Sequence, residues 1–146
     1  MLLSRTCEYG IRAMMQLATK SPHEFIAVRK ISNELEISFH FLTKICQQLS
    51  RAGLVRSYRG PNGGVKLAKP ASKISLMEIV VAIEGSNLFT ECVLGLPGCG
   101  DQSPCPLHDS WAHVRGELIQ MLEKRSLSQI AEDVAARNLR LKGTLR

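Results

Sequence analysis

Apolar residues recur along the chain at intervals of three and four, the spacing that places side chains on one face of an α-helix. The pattern predicts six helices, over about 3–20, 27–35, 38–53, 75–85, 107–124 and 128–137. Ser4, Ser38 and Ser75 stand where an N-cap residue is expected at three of these helices. Gly53 and Gly85 are placed to end two of them.

The hydrophobic period changes after Gly53. Leu54–Tyr58 and Val65–Ala68 are predicted strands, and residues 59–64 between them form a turn, so this stretch is a hairpin. A segment rich in glycine and proline follows at 86–106, where we expect irregular structure. The predicted fold is mainly α-helical with a small β-hairpin.

Helix, turn, helix and hairpin in this order predict a winged helix-turn-helix, in which the third helix lies in the DNA major groove. The outward positions of that helix are polar or long: Ser38, His40, Thr43, Lys44 and Gln47. Thr43 and Gln47 are expected at base edges, and Ser38 and Lys44 at phosphates. The turn before this helix carries Glu36 where the motif often has glycine.

The tip of the hairpin has the composition of a DNA-binding wing. Arg59 is suited to enter a minor groove or to hold phosphates, and the glycines of the tip allow close backbone approach. The predicted wing comprises Arg59, Gly60, Pro61, Asn62, Gly63 and Gly64. The alternative is an ordinary glycine-rich hairpin with a solvated arginine.

Charge supports a nucleic-acid partner for the first half of the chain. Residues 1–70 hold 11 Lys/Arg and 4 Asp/Glu, a net of +7, whereas residues 71–146 hold 8 and 9, a net of −1. The sequence therefore predicts a DNA-binding domain over 1–70 and a second unit over 71–146. A basic face exposed to solvent without a partner is the alternative.

Length and composition exclude other classes. The 146 residues, 45% hydrophobic and 22% charged, are typical of a globular chain. No apolar run is long enough to span a bilayer, and Glu8 and Arg12 interrupt the N-terminal region where a secretory signal would lie, so a cytoplasmic protein without membrane contact is expected. No catalytic motif is evident, so an enzyme is not expected.

Three of the five cysteines are clustered in the irregular segment. An odd count without an export signal argues against a disulfide framework. Cys92, Cys99 and Cys105 are separated by six and five residues, wider than the close pairs of structural zinc sites, and this favours an iron–sulfur cluster. His108 is the nearest candidate for a fourth ligand and Glu8 a remote one. Zinc held by three cysteines and a histidine, or chance cysteines in a loop, remain alternatives.

The residues also resemble a known family. The N-terminal segment Ser4–Met14, the wing at 59–64, the helix start at 74–76 and the cysteine loop with its following Pro-Leu-His are similar to those of the Rrf superfamily of winged-helix regulators. The resemblance implies a homodimer whose long C-terminal helices cross at the interface. It also implies a cluster, 2Fe-2S or 4Fe-4S, on the three cysteines. The fourth ligand would be His108 by resemblance to IscR-like members, or Glu8 from the partner's first helix by resemblance to NsrR-like members.

The resulting expectation is a DNA-binding regulator, a repressor, whose operator binding is controlled by a cluster in loop 86–106. The apolar stripe Trp111, Val114, Leu118 and Met121 is expected in the core or at the dimer interface. A zinc-stabilised or metal-free regulator is one alternative, and a redox or electron-transfer protein is another.

Overall fold

Seven helices and one hairpin follow one another in residues 2–143, the part of the chain that the computed structural model describes. They are α1 (Arg5–Ala18), α2 (Val28–Leu35), α3 (Phe39–Arg51), β1 (Val55–Tyr58), β2 (Gly64–Leu67), α4 (Leu76–Glu84), α5 (Asn87–Thr90), α6 (His108–Glu123) and α7 (Leu127–Arg137). A 3₁₀ turn, Ala71–Lys73, joins the hairpin to α4. The prediction of a mainly helical fold with a small hairpin is confirmed.

Serine caps begin two of the helices as the sequence predicts. The Ser4 hydroxyl accepts a hydrogen bond from the Cys7 backbone N–H at 3.1 Å. Ser75 and Glu78 form a reciprocal capping box at the start of α4. Ser38 occupies the N-cap position of α3, but its side chain makes no capping hydrogen bond and stays exposed, so that part of the prediction is wrong.

The hairpin is attached to the helices by a backbone bridge. β1 pairs antiparallel with β2, from Val55 opposite Leu67 to Tyr58 opposite Gly64. Ile26, just before α2, exchanges two backbone hydrogen bonds of 2.8 Å with Val65. The wing is therefore fixed to the start of the helix-turn-helix by its backbone.

The main core is built around α1. Its buried side chains come from α1–α3, the hairpin, α4 and α7, and the largest are Met14, Ile31, Leu35, Leu42, Ile45, Leu49, Ile74, Ile79, Leu127 and Val65. Helices α1 and α3 both pack against α4. The helix-turn-helix thus shares one core with the elements that follow the hairpin.

A second, smaller core joins α1, α4 and α6. It consists of Cys7, Val80, Leu118 and Leu122. Leu88 and Phe89 pack onto this cluster, and they do so from the one-turn helix α5. The prediction of irregular structure throughout 86–106 is therefore wrong at 87–90.

The apolar stripe of α6 divides between core and surface. Leu118 is buried, whereas Val114 and Met121 are 53% and 58% exposed. Leu122, outside the predicted stripe, is buried in place of Met121. Among the described residues, no helix is both long and apolar enough to cross a membrane.

Candidate nucleic-acid interface and cysteine centre

The third helix presents a polar face opposite its buried one. Leu42, Ile45 and Leu49 hold α3 in the core, which leaves one side of the helix outward. On that side His40, Lys44 and Gln47 are exposed and Thr43 is half-buried. The Thr43 hydroxyl donates to the Phe39 carbonyl at 2.8 Å, so its oxygen retains only acceptor capacity for a base edge.

The wing separates into an exposed tip and a packed base. Arg59, Gly60, Pro61 and Asn62 are exposed. Gly64 is packed against the backbone of Ile26, where an added Cβ would lie 2.1 Å from the Ile26 carbonyl oxygen. The structure therefore gives Gly64 a packing role, whereas the tip residues are free to approach a duplex.

A groove of about 510 Å³ runs between α2, α3 and the wing. Its lining includes six residues predicted to contact DNA: Thr43, Gln47, Arg59, Gly60, Gly63 and Gly64. Arg29, also in this lining, holds its guanidinium 4.1 Å from the centre of the Phe39 ring. The sequence alone does not indicate Arg29, because a single arginine at the start of a helix carries no spacing signal.

The structure brings the three predicted cysteines together. The Sγ atoms of Cys92, Cys99 and Cys105 all lie within 4.8 Å of one another, and the Cys92–Cys105 distance is 3.5 Å. Cys92 follows α5, and Cys105 lies three residues before α6. The segment between these helices therefore brings its three sulfur atoms close together.

His108 lies in contact with the cysteine group. Its Nδ1 is 3.4 Å from the Cys99 Sγ, and its Nε2 is 3.2 Å from the Asp101 carboxylate. A histidine that binds metal through one nitrogen usually donates its other N–H to a carboxylate, and Asp101 is placed to accept it. The sequence does not indicate this role for Asp101, because a lone acidic residue in a loop is not distinctive.

Local hydrogen bonding prepares one thiol for ionisation. The backbone N–H of Leu96, together with that of Leu94, lowers the pKa of Cys92 from 9.0 to about 7. Burial, reinforced by the neighbouring Cys92 and Cys99 thiols, raises the pKa of Cys105. Since the thiolate is the form that binds metal, Cys92 is the thiol best prepared to act as a ligand near neutral pH.

The other two cysteines are set apart from this centre. Burial, aided by the charges of Glu84 and Glu8, raises the pKa of Cys7 to about 12. Burial alone raises the pKa of Cys46 to about 11. Both are buried packing residues, since they are 0% and 4% exposed.

Glu8 is not brought to the three cysteines within this chain. It lies on α1 beside Cys7, and its expected role as a ligand involves the first helix of a partner. Trp111 lines the small cavity beside the cysteines and donates its indole N–H to the Glu91 carbonyl at 3.0 Å. Trp111 therefore ties α6 to the start of the cysteine segment.

A helix-turn-helix with a hairpin wing attached to it is the architecture of a winged-helix transcription regulator. The chain belongs to the Rrf2 family: the sequence pattern of that family, described as an iron-dependent transcriptional regulator, matches residues 3–133. The expectations of a transcription regulator, and of a protein that is not an enzyme, are confirmed by this membership.

Known proteins are similar to this chain in sequence and in fold. An HTH-type transcriptional regulator of Neisseria meningitidis, NMA1593, is 33% identical over 132 residues, which cover 90% of this chain and 88% of the relative. The regulator IscR of Photorhabdus laumondii is 32% identical over 142 residues, covering 94% and 86%. The structure of CymR, the global cysteine regulator of B. subtilis, superposes with a TM-score of 0.73 at 25% identity, covering 89% of this chain and 95% of that chain.

Proposed function

We propose that the protein is a homodimeric repressor whose operator binding is controlled by an iron–sulfur cluster, 2Fe-2S or 4Fe-4S, held by Cys92, Cys99 and Cys105. The observation that carries the proposal is the convergence of these three thiols within 4.8 Å. The iron-dependent description of the family supports iron as the metal. Such a repressor would act in the cytoplasm.

The donor set fits a thiolate-held metal group. Cys92 is prepared for ionisation by backbone N–H groups, and His108 and Asp101 supply an imidazole with a carboxylate behind it. Glycines at 95, 98 and 100 leave the loop backbone free to adjust around a group larger than a single ion. A bound cluster would supply iron- and redox-sensitive bonds between residues that are otherwise joined by the loop backbone and by weak contacts of their side chains.

His108 of the same chain is our preferred fourth ligand. Its Nδ1 already contacts the Cys99 sulfur, and its Nε2 has an acceptor in Asp101. Glu8 of a partner is the second candidate. It lies on α1, and in this alternative it would be donated across the dimer interface.

The DNA-binding surface would consist of the outward face of α3 and the tip of the wing. Thr43 and Gln47 would contact base edges, and His40 would lie beside them in the major groove. Ser38, Lys44 and the backbone of Gly63 would lie near phosphates, and Arg59 with Gly60, Pro61 and Asn62 would enter the minor groove or hold its phosphates. Gly64 would instead keep the wing packed against Ile26. In this proposal residues 1–70 are the DNA-binding domain, and 71–146 carry the sensing loop and the dimer contacts.

Coupling between the cysteine centre and the DNA would pass through the second core. The cysteine segment lies between α5 and α6, and Phe89 and Leu118 from these helices pack with Val80 and Cys7. Those residues belong to α4 and α1, and both helices touch the helix-turn-helix. Because a dimer must place two recognition helices about 34–36 Å apart, a small shift of this core would alter operator binding.

Zinc is a second candidate, and one observation favours it. Tetrahedral zinc with Zn–S bonds of about 2.3 Å places its ligand atoms roughly 3.8 Å apart. The Cys92–Cys105 separation of 3.5 Å is close to that distance, whereas thiolates on different irons of a cluster lie further apart. In this alternative the centre stabilises the loop and senses nothing.

Anaerobic purification followed by absorption spectroscopy and analysis of iron, sulfide and zinc tests the proposal. We expect iron and sulfide in similar amounts, with visible absorption that Cys99→Ala abolishes. Zinc alone at one ion per chain would overturn the cluster proposal and support the second candidate.

The fourth ligand is tested in the same preparation. We expect His108→Ala to change the visible spectrum and Asp101→Asn to weaken retention of the metal, by about 10- to 100-fold for an outer-shell partner. His113→Ala, on the exposed face of the same helix, is the matched control. An unchanged spectrum in His108→Ala together with a changed one in Glu8→Ala would assign the ligand to the partner's helix instead.

A further inference from the structure

The chain turns back toward the helix-turn-helix after α7. Asn138 ends α7 in the left-handed conformation, with φ of 50°, and the Leu139 N–H donates to the Val134 carbonyl. Leu141 is half-buried and packs against the main core. We call residues 138–143 the C-terminal tail.

Arg12 on α1 ties this tail to the turn between α2 and α3. Its Nε donates to the Leu141 carbonyl, and its Nη2 donates to the Leu35 carbonyl at 2.9 Å. Leu35 is the last residue of α2, so its carbonyl lacks a partner within the helix. One guanidinium therefore joins the tail to the end of α2.

Lys142 continues the contact onto the turn itself. Its Nζ lies 3.7 Å from the carboxylate of Glu36, and each side chain is about half exposed. A pair this exposed adds little stability. The electrostatic effect of Lys142 is local, because its charge offsets that of Glu36. Glu36 lies two residues before Ser38, the N-cap residue of α3.

The charge of the tail complements DNA. Arg137, Arg140 and Lys142 are exposed, and residues 134–143 contain no acidic side chain. Glu36, by contrast, places a carboxylate beside the N-terminal end of the helix that would enter the major groove. A free carboxylate at that position would repel the phosphates that Ser38 and Lys44 are proposed to approach.

We propose that the C-terminal tail is part of the DNA-binding surface, where Lys142 offsets Glu36 and Arg140 adds a phosphate contact beside the start of α3. The proposal rests on the DNA-binding function proposed above and extends its surface beyond the helix-turn-helix and wing. Its partner is the phosphate backbone, so the contribution is independent of base sequence.

Binding of a labelled, mixed-sequence DNA duplex, measured by fluorescence anisotropy over a range of salt concentrations, tests this proposal. Each phosphate contact contributes about 0.9 to the slope of log K against log salt and roughly tenfold in affinity near 0.1 M salt. We expect Arg140→Ala and Lys142→Ala each to lower affinity several-fold, with a shallower salt slope for Arg140→Ala. Lys124→Ala, which removes one charge at the end of α6, should leave both quantities unchanged.

A second variant isolates the role of Glu36. In a Glu36→Gln background, Lys142→Ala should lose much less affinity than in the wild-type background, because no carboxylate remains to be offset. Circular dichroism of every variant establishes that the fold is retained.

The outcomes separate the two proposals. Wild-type protein that binds DNA with strong salt dependence, while Arg140→Ala and Lys142→Ala keep its affinity and slope, would overturn the role of the tail alone. An equal loss from Lys142→Ala in both backgrounds would contradict the compensation of Glu36. Wild-type protein with no salt-dependent binding at all would overturn the DNA-binding function and the role of the tail together.

Discussion

Glu36 adopts a backbone conformation that glycine would adopt at lower cost. Its φ and ψ of 58° and 44° place it in the left-handed region, where a residue with a Cβ is disfavoured by roughly 1–2 kcal/mol. The conformation ends α2 and turns the chain into α3. In the sequence, this position is notable because it lacks the glycine that such turns often have. In the structure, the turn forms with Glu36 in the left-handed region, so the backbone strain remains.

Glycine should be tolerated better than alanine at position 36. We expect Glu36→Gly to be more stable than Glu36→Ala by about 1 kcal/mol, because both remove the carboxylate but only glycine relieves the left-handed strain. Thermal or urea unfolding of the two variants measures the difference. Equal stability would show that the turn carries no backbone strain.

Gly64 shows where glycine is required by contact with a neighbouring backbone. An added Cβ would lie 2.1 Å from the Ile26 carbonyl oxygen, and that carbonyl accepts the bridge hydrogen bond from Val65. From the sequence, every glycine of the wing is expected to allow close approach of the backbone to DNA. The contact with Ile26 joins segments far apart in the chain, so no local pattern indicates it.

At the scale of elements, the capping box of α4 carries a titratable group. Burial raises the pKa of Glu78, but hydrogen bonds from Lys69 and Ser75 outweigh it, so the pKa lies below its usual value. The Lys69 ammonium is 2.6 Å from the carboxylate, and both side chains are 39% exposed. The pair is therefore screened by water, and its contribution to stability is small.

Glu78→Gln should reveal this contribution as a dependence of stability on pH. Glutamine preserves the box, so only the charge is lost. Since the pKa of the folded state is lowered, the stabilisation is present above the ordinary pKa of about 4.3 and disappears as pH falls through the lower value. We expect wild type to exceed the variant by about 0.2–1 kcal/mol near neutral pH and by nothing in strong acid, as measured by urea unfolding. A gap that persists in acid would contradict the assignment.

Most elements were predictable because their signals are local. The hydrophobic period, the N-cap serines and the terminal glycines predict α1–α4 and the hairpin to within a few residues. The spacing of the cysteines identifies Cys92, Cys99 and Cys105. The features that the sequence does not predict depend on contacts that form only in the folded chain. Helix α5 is held by Phe89 against the second core, and Asp101 becomes notable only when His108 folds beside it.

At the scale of the whole molecule, α6 carries two of the large apolar side chains that one chain leaves exposed. Val114 and Met121 are more than half exposed, although they share a stripe with buried Leu118. The proposed homodimer would cover them. The burial pattern of one chain is thus the one expected of a helix with one face in its own core and another against a partner.

Charge placed on this face should separate the proposed dimer. We expect Val114→Glu and Met121→Glu to shift the protein to monomer in sedimentation velocity, because a carboxylate would be buried without a partner. Gln120→Glu adds the same charge roughly 120° around the helix from Val114 and about 100° from Met121, and it should leave the dimer intact. A dimer that survives both substitutions would place the interface elsewhere.

A single DNA titration measures whether the cysteine centre controls DNA binding. Operator DNA selected from random sequence is titrated with anaerobically purified wild-type protein and with Cys99→Ala, whose loss of metal is verified by analysis. We predict operator affinities that differ by about 5- to 150-fold, the range of a coupling free energy of roughly 1–3 kcal/mol. A variant that has lost its metal and binds the same operator with unchanged affinity would contradict the account.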